Sequence, residues 1–263
     1  MILIRTCEGH DELEACVQLQ VETWGYDQAD VIPRKAFLVM QKIGGQIIGA
    51  FDTSLPDASL QGDPKSLVGF AMSLPGVKRG EKNGEAPRAY LHSHMLAVKE
   101  AYRDRGLGAQ LKLEQRREAL SRGIRHMEWT FDPLEIKNAW LNIHKLGAIA
   151  CSYRVNFYGV SSSRLQGGLP TDRLLAEWEL DSPRVIASLE GHPAAYQIEK
   201  RILVPASIYE WKASHQNRER ALAVQLENRE KFQQAFARGQ AVLGFTRDAD
   251  GNGIFELGPK AQP

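Results

Sequence analysis

Hydrophobic positions along the 263-residue chain fall into short apolar runs, expected as strands, and stretches where they recur every three or four residues, expected as helices. Residues 2–6 (ILIRT) read as a short strand and residues 10–23 as a helix, with Leu13, Cys16, Val17 and Val21 at helical spacing. The segment TWGYDQADVIPRK breaks the pattern, and Pro33 opens a second helix over 34–42. Strands are expected at 46–54, 66–74 and 89–98 (AYLHSHMLAV), with turn chemistry over 55–65 and a Gly-, Lys- and Pro-rich loop over 75–88. A helix follows over 105–122, with Leu107, Leu111, Leu113 and Leu120 on a wide apolar face, stopped by Gly123. HMEWTF (126–131) is the next strand. Asp132 is the expected N-cap of a helix with Pro133 in its first position and Glu135 reaching back. That helix ends near Leu146, with Gly147 as its C-terminal cap, and 149–159 closes the series as a strand.

This order predicts an α/β domain over residues 1–159, with a mixed, mostly antiparallel sheet flanked by helices. After a Ser/Gly-rich connection (160–169) a second α+β segment is expected over 160–263, packed on the first. Its elements are a strand at 173–180, a helix started by Ser182 and Pro183, an extended stretch at 196–205 and a long helix from the SIYE capping box at 207–210 to about residue 238. Two short strands around DADGNG (248–253) end the chain. That turn begins like a calcium loop, but its twelfth position is Pro259 rather than a glutamate, so a hairpin is the better reading.

Composition narrows the function classes. Hydrophobic residues make up 43% and charged residues 25%, as in ordinary soluble globular proteins. A net charge of +1 supplies no global attraction to nucleic acid or membrane. The charged stretch 211–231 mixes Glu219, Glu227 and Glu230 with its basic residues and reads as a solvated face. No apolar stretch of about 18 residues is present to cross a bilayer. The first residues, MILIRTCEGHDE, are too short and too polar for a signal peptide. Cys7, Cys16 and Cys151 form no CxxC spacing and no even-numbered framework, which points to a reduced, cytoplasmic setting.

The sharpest local signal is RDRGLG, residues 103–108, between the strand ending Leu96-Ala97-Val98 and the helix after it. Gly106 and Gly108 permit a tight turn and close backbone approach, and the helix start leaves main-chain amides unpaired. With Arg103 and Arg105 alongside, the loop suits a phosphate or pyrophosphate. It is neither a Walker A loop nor a dinucleotide GxGxxG fingerprint.

Arg103-x-x-Gly106-x-Gly108 matches the [QR]xxGx[GA] motif of the GNAT acetyltransferase superfamily, and the order of elements over 1–159 resembles the GNAT fold. The whole chain resembles a bacterial family of predicted GNAT proteins. The resemblance implies acetyl-CoA or another acyl-CoA as co-substrate and no metal. Its pyrophosphate would lie on the amides of Arg103, Arg105, Gly106, Leu107, Gly108 and Ala109. Its pantetheine arm would run along Leu96, Ala97 and Val98, with Asn138 facing it from the next helix.

Acyl transfer to an amine needs a group to take the amine's proton and an acid for the departing thiolate. His92 and His94 lie two apart on one strand, so they share a face and are candidates for the base, or are buried strand residues. HxHxLAV is similar to the paired-histidine strand of the arylalkylamine N-acetyltransferases. The acid has several candidates. Many GNAT enzymes carry a tyrosine four residues before the glycine that ends the next helix, but here that position is Ile143 and the residue after Gly147 is Ala148. Tyr153, Tyr158 and His144 remain as substitutes, each open to a packing role instead. Trp24-Gly25-Tyr26 either walls an acceptor pocket or belongs to the core.

These residues support an N-acyltransferase acting on a small amine or amino-acid-like acceptor. The other classes are a GNAT-fold protein that binds CoA without transfer, and a peptide or protein acetylase. A homodimer is the expected oligomer, as the commonest closed assembly.

Overall fold

The computed structural model describes residues 1–55, 64–79 and 86–260. The turn residues Pro56, Asp57, Gly62 and Asp63 and the centre of the expected 75–88 loop lie outside them. The chain divides into two compact units, Met1–Met127 and Glu128–Pro263. The domain boundary expected at 159/160 falls inside the second unit.

The first unit contains β1 (Ile2–Thr6), α1 (Gly9–Trp24), α2 (Arg34–Lys42), β2 (Gln46–Asp52), β3 (Leu67–Lys78), β4 (Arg88–Val98) and α3 (Leu107–Ser121). The strands run in the order β1-β2-β3-β4, each antiparallel to its neighbour. All seven residues of β2 are buried, because the sheet is covered on both faces. Ile47, Phe51, Phe70 and Met72 meet Leu13, Cys16 and Leu19 of α1 and Phe37 of α2. The intervening residues Ile48, Ala50, Val68 and Ala71 meet Leu107 and Leu111 of α3. Each such fully buried leucine or phenylalanine contributes about 2–3 kcal/mol.

The expected loop at 75–88 is corrected by the longer strands. Pro75 to Lys78 pair with Leu91 to Arg88. The breakers Pro75 and Gly76 are tolerated because the Tyr90 ring fills the space where a Gly76 side chain would stand.

β5 (His126–Phe131) crosses the division. The second unit continues with α4 (Ile136–Ala139), β6 (Ile149–Arg154), β7 (Arg173–Glu179), α5 (Pro183–Leu189), β8 (Lys200–Val204), α6 (Ile208–Ala213), α7 (Arg218–Ala237), β9 (Gln240–Arg247) and β10 (Gly253–Pro259). From the end of β5 the strand order is β5-β7-β6-β9-β10-β8. Trp178 is fully buried, meets Trp129 edge to face at 5.7 Å and donates its Nε1–H to the Leu146 carbonyl at 2.7 Å. Among the described residues no helix is long and apolar enough to cross a membrane.

Two expected helices differ, and one buried cation accounts for the first. Lys212 is buried and donates to Asp132 at 2.9 Å and Glu135 at 2.6 Å. Asp132 spends its other oxygen on the Leu134 amide at 2.8 Å, so the helix begins only at Ile136, and Glu135 faces Lys212 rather than reaching back. The helix then widens to π-helical turns over Trp140–Lys145. The long helix expected from 207 to 238 is two helices, parted at Ser214, which is extended at φ −101° and ψ 123°. Residues 214–217 (Ser-His-Gln-Asn) offer no apolar anchor, and Ser and Asn compete for backbone bonds. The Ser182 cap and the hairpin at 248–252 stand as expected; Asp248 accepts the Asp250 and Asn252 amides inside that turn.

Candidate functional site

The glycine loop follows β4 through a short 3-10 turn at Glu100–Tyr102. Asp104 and Gly106 both adopt left-handed backbone, at φ 59° and 78°. This turns the chain so that Leu107 plunges into the core, 5% exposed, and starts α3. The first main-chain bond of the helix joins the Gln110 amide to the Gly106 carbonyl at 3.1 Å. The amides of Leu107, Gly108 and Ala109 precede it, and Gly106 provides no capping side chain. A Cβ placed on Gly106 meets nothing within 4 Å, so open space stands before that first turn. These are the features of an anion cradle: aimed amides, a helix dipole and room.

The two arginines differ in use. Arg103 donates Nε–H to the Val98 carbonyl at 3.1 Å and so ties the loop to the end of β4. Arg105 is exposed, with its guanidinium 5.8 Å from the centre of the Tyr102 ring. A cavity of about 240 Å³ adjoins the loop and is lined by Asp52, Tyr102, Arg105, Leu107 and Gln110 along with the first two residues. Tyr102 donates its hydroxyl to Asp52 at 2.8 Å, and bonds from Ser54 and Tyr102 hold that carboxyl well below the usual range. An ionised Asp52 disfavours an anion deep in the cavity, which leaves the helix end as the better place for phosphate. Nothing in the spacing of the chain marked Asp52 or this cavity in advance.

On β4, the register with β3 shifts between Met72 and Ser73: Met72 faces Met95 and Ser73 faces Ser93. His94 is the extra residue of a β-bulge, a device that re-aims a side chain. His92 and His94 come together, rings 6.0 Å apart and tilted by 41°. Both are half-buried, and burial, with help from His92, lowers His94 to about 4. Leu96 and Val98 point toward α3, and Ala97 toward the α1 face. Among the described residues no group of three or more His, Cys, Asp or Glu side chains could hold a metal ion.

The low His94 value carries a stability consequence. The folded protein resists protonation there while the unfolded chain takes the proton near 6.5. This contribution is therefore complete above pH 6.5 and drains away as pH falls toward 4. The loss is about 3 kcal/mol at most, at about 1.4 kcal/mol per pH unit. Urea midpoints across that window should fall more steeply for the natural chain than for His94→Gln; parallel curves would count against the buried, uncharged histidine.

The remaining candidates lie in the second unit. Asn138 is exposed on α4. Tyr153 donates its hydroxyl to Asp172 at 2.7 Å and stacks on Phe232 at 5.7 Å. Asp172 is fully buried, and Arg229 grips both its oxygens at 2.8 and 3.2 Å. Burial and the bond to Asp172 push the Tyr153 phenol far above its ordinary value, so it is a poorer proton donor than free tyrosine and serves as an anchor. Tyr158 shares a hydrogen bond with Thr130 at 2.7 Å. His144 stacks on Trp140 at 3.7 Å and is lowered by burial. In the first unit, Trp24 and Tyr26 stack at 5.3 Å around Gly25, which ends α1 at φ 67°, and both rings pack on the core.

The chain is similar in structure to NAA60 of Arabidopsis thaliana. The NAA60 complex with acetyl-CoA matches at a TM-score of 0.55 and 18% identity, over 69% of this chain and 100% of NAA60. The NAA60 complex with a bisubstrate analogue matches at 0.51 and 18% identity, over 68% of this chain and 97% of NAA60. The sequence matches no family model and no curated protein. The shared fold is the GNAT fold that RDRGLG implied.

Proposed function

We propose that the chain is an acetyl-CoA-dependent N-acyltransferase acting on a small amine or amino-acid-like acceptor. The observation that carries this reading is the first turn of α3, where Gly106 at φ 78° leaves open space before the amides of Leu107, Gly108 and Ala109. A diphosphate there would accept those amides, with Arg105 supplying mobile positive charge. Arg103 acts mainly by holding the loop to Val98. The main chain of Leu96, Ala97 and Val98 is paired with Ala71, Phe70 and Gly69 of β3, and a pantetheine arm would run alongside this end of β4. That one structure of NAA60 is a complex with acetyl-CoA supports the same co-substrate here.

Bound acetyl-CoA supplies a thioester carbonyl; a neutral amine attacks it, the carbon–sulfur bond breaks, and the amine's surplus proton must leave. His94 is uncharged at neutral pH, so its imidazole can accept that proton. A value of about 4 means it also gives the proton up readily, which suits relay through His92 or water rather than storage. His94→Ala should lower turnover by about 100-fold while CoA affinity stays within a few-fold. The assay is free-thiol release with a panel of small amines, and unchanged turnover removes His94 from the reaction.

A second reading, CoA binding without transfer, is favoured by the fate of the acid: Ile143 stands at the usual tyrosine position, and the Tyr153 hydroxyl is spent on Asp172. Both readings entail thermal stabilisation by CoA. Only the first entails thiol release on adding amine. A homodimer and a cytoplasmic setting complete the proposal. The latter is supported by three free cysteines, two of them with sulfurs 3.8 Å apart and unbridged.

A further inference from the structure

The bulge at His94 is flanked by two buried serines, Ser73 and Ser93, which face each other across β3 and β4. Ser93 Oγ accepts from Lys112 Nζ at 2.7 Å and donates to Gln115 Oε1 at 2.9 Å. Ser73 Oγ donates to Gln46 Oε1 at 2.9 Å. Gln46 Nε2 in turn donates to the Gln115 main-chain carbonyl at 2.8 Å and to the Glu118 carboxylate. Lys112, Gln115 and Glu118 are spaced by three and so share one face of α3. Both strands are thus bolted to the same stretch of the helix whose first turn forms the cradle.

This arrangement is costly. Lys112 is 3% exposed and Gln115 fully buried, and burial drives the Lys112 ammonium well below the usual amine range. Among the described residues the Gln115 Nε2 atom has no hydrogen-bond partner. Leucine or methionine at these positions would fill the same helix–sheet interface without that desolvation. What the polar set adds is register: slipping β4 by one residue would carry Ser93 to the other face of the sheet, away from both Lys112 and Gln115.

We propose that Lys112 and Gln115 are positioning residues that hold the β4 bulge at His94 in fixed register with α3. This rests on the acyl-transfer reading for its consequence in turnover, and on the hydrogen bonds alone for the lock itself.

Lys112→Met is the direct test, read first in the free protein by NMR. The ring signals of His92 and His94 should move, while those of His10 and His192 stay in place. Amide exchange over residues 92–95 should quicken by about tenfold or more. Overall stability should be unchanged or higher. Turnover should fall by about tenfold with CoA affinity kept, since a small misplacement of a reacting group has that scale of effect. Ser93→Ala, which removes the shared hydroxyl at almost constant volume, should reproduce the ring-signal and exchange changes and decides the matter if Lys112→Met does not fold. Unmoved His94 signals and unchanged exchange in the folded variant overturn the proposal, whatever the turnover. A natural chain that releases no thiol while the variant's ring signals do move removes the acyl-transfer reading and leaves the lock standing.

Discussion

Gly106→Val is expected to weaken CoA binding by about 1,000-fold, the loss of two or three charge-assisted hydrogen bonds of about 1.5–3 kcal/mol each, partly recovered elsewhere on the ligand. Two effects combine. Gly106 sits at φ 78°, where a β-branched side chain is strained by about 1–2 kcal/mol, so the turn opens and the amides of Leu107, Gly108 and Ala109 lose their common aim. The added methyl groups also enter the open space in front of those amides. The sheet and α3 should survive, since the substitution touches no packed neighbour. Calorimetric titration with CoA, beside a melting curve of the free variant, separates lost binding from lost fold. Retained affinity in a folded variant would place the diphosphate elsewhere.

Lys212→Met should destabilise the chain by about 3–5 kcal/mol, the usual result of removing one partner from a buried ion pair. Lys212 lies between Asp132 and Glu135, and burial already raises the Glu135 carboxyl even with the cation present. Without the ammonium, the two carboxylates would face each other in a dry site, and folding would draw a proton onto one of them. The deficit should therefore be greatest near pH ~8 and shrink toward pH ~5, as the folded state takes up that proton. Urea unfolding at both values checks the size and the slope. A loss below about 1 kcal/mol would mean that the cluster is solvated and that its geometry does not explain the late helix start at Ile136.

The turn at Gly106 and the helix start after it were legible in the sequence because their physics is local. Two glycines one residue apart, two arginines and an apolar run before them describe a strand, a left-handed turn and a helix start within thirteen residues, 96–108. The paired histidines were legible for the same reason, although the bulge that re-aims His94 was not, since it exists only in the pairing of β4 with β3. Long-range partners account for the misreadings. Tyr90 rescues Gly76 across the strands, where the order Pro-Gly reads as a turn. Lys212 takes Asp132 and Glu135 out of a capping box that stands 77 residues or more before it. Tyr153, open as an acid while its surroundings were unknown, is spoken for by Asp172 and Arg229. Lys112, Gln115 and Gln46 are far apart from Ser73 and Ser93 in the sequence, and only the fold brings them together.

A crystal structure of the chain with CoA tests the central claim most directly. The account predicts diphosphate oxygens at about 3 Å from the main-chain nitrogens of Leu107, Gly108 and Ala109, with the thiol end passing Leu96 toward the His92–His94 pair. Coenzyme bound at any other surface, with that helix start left bare, would contradict it.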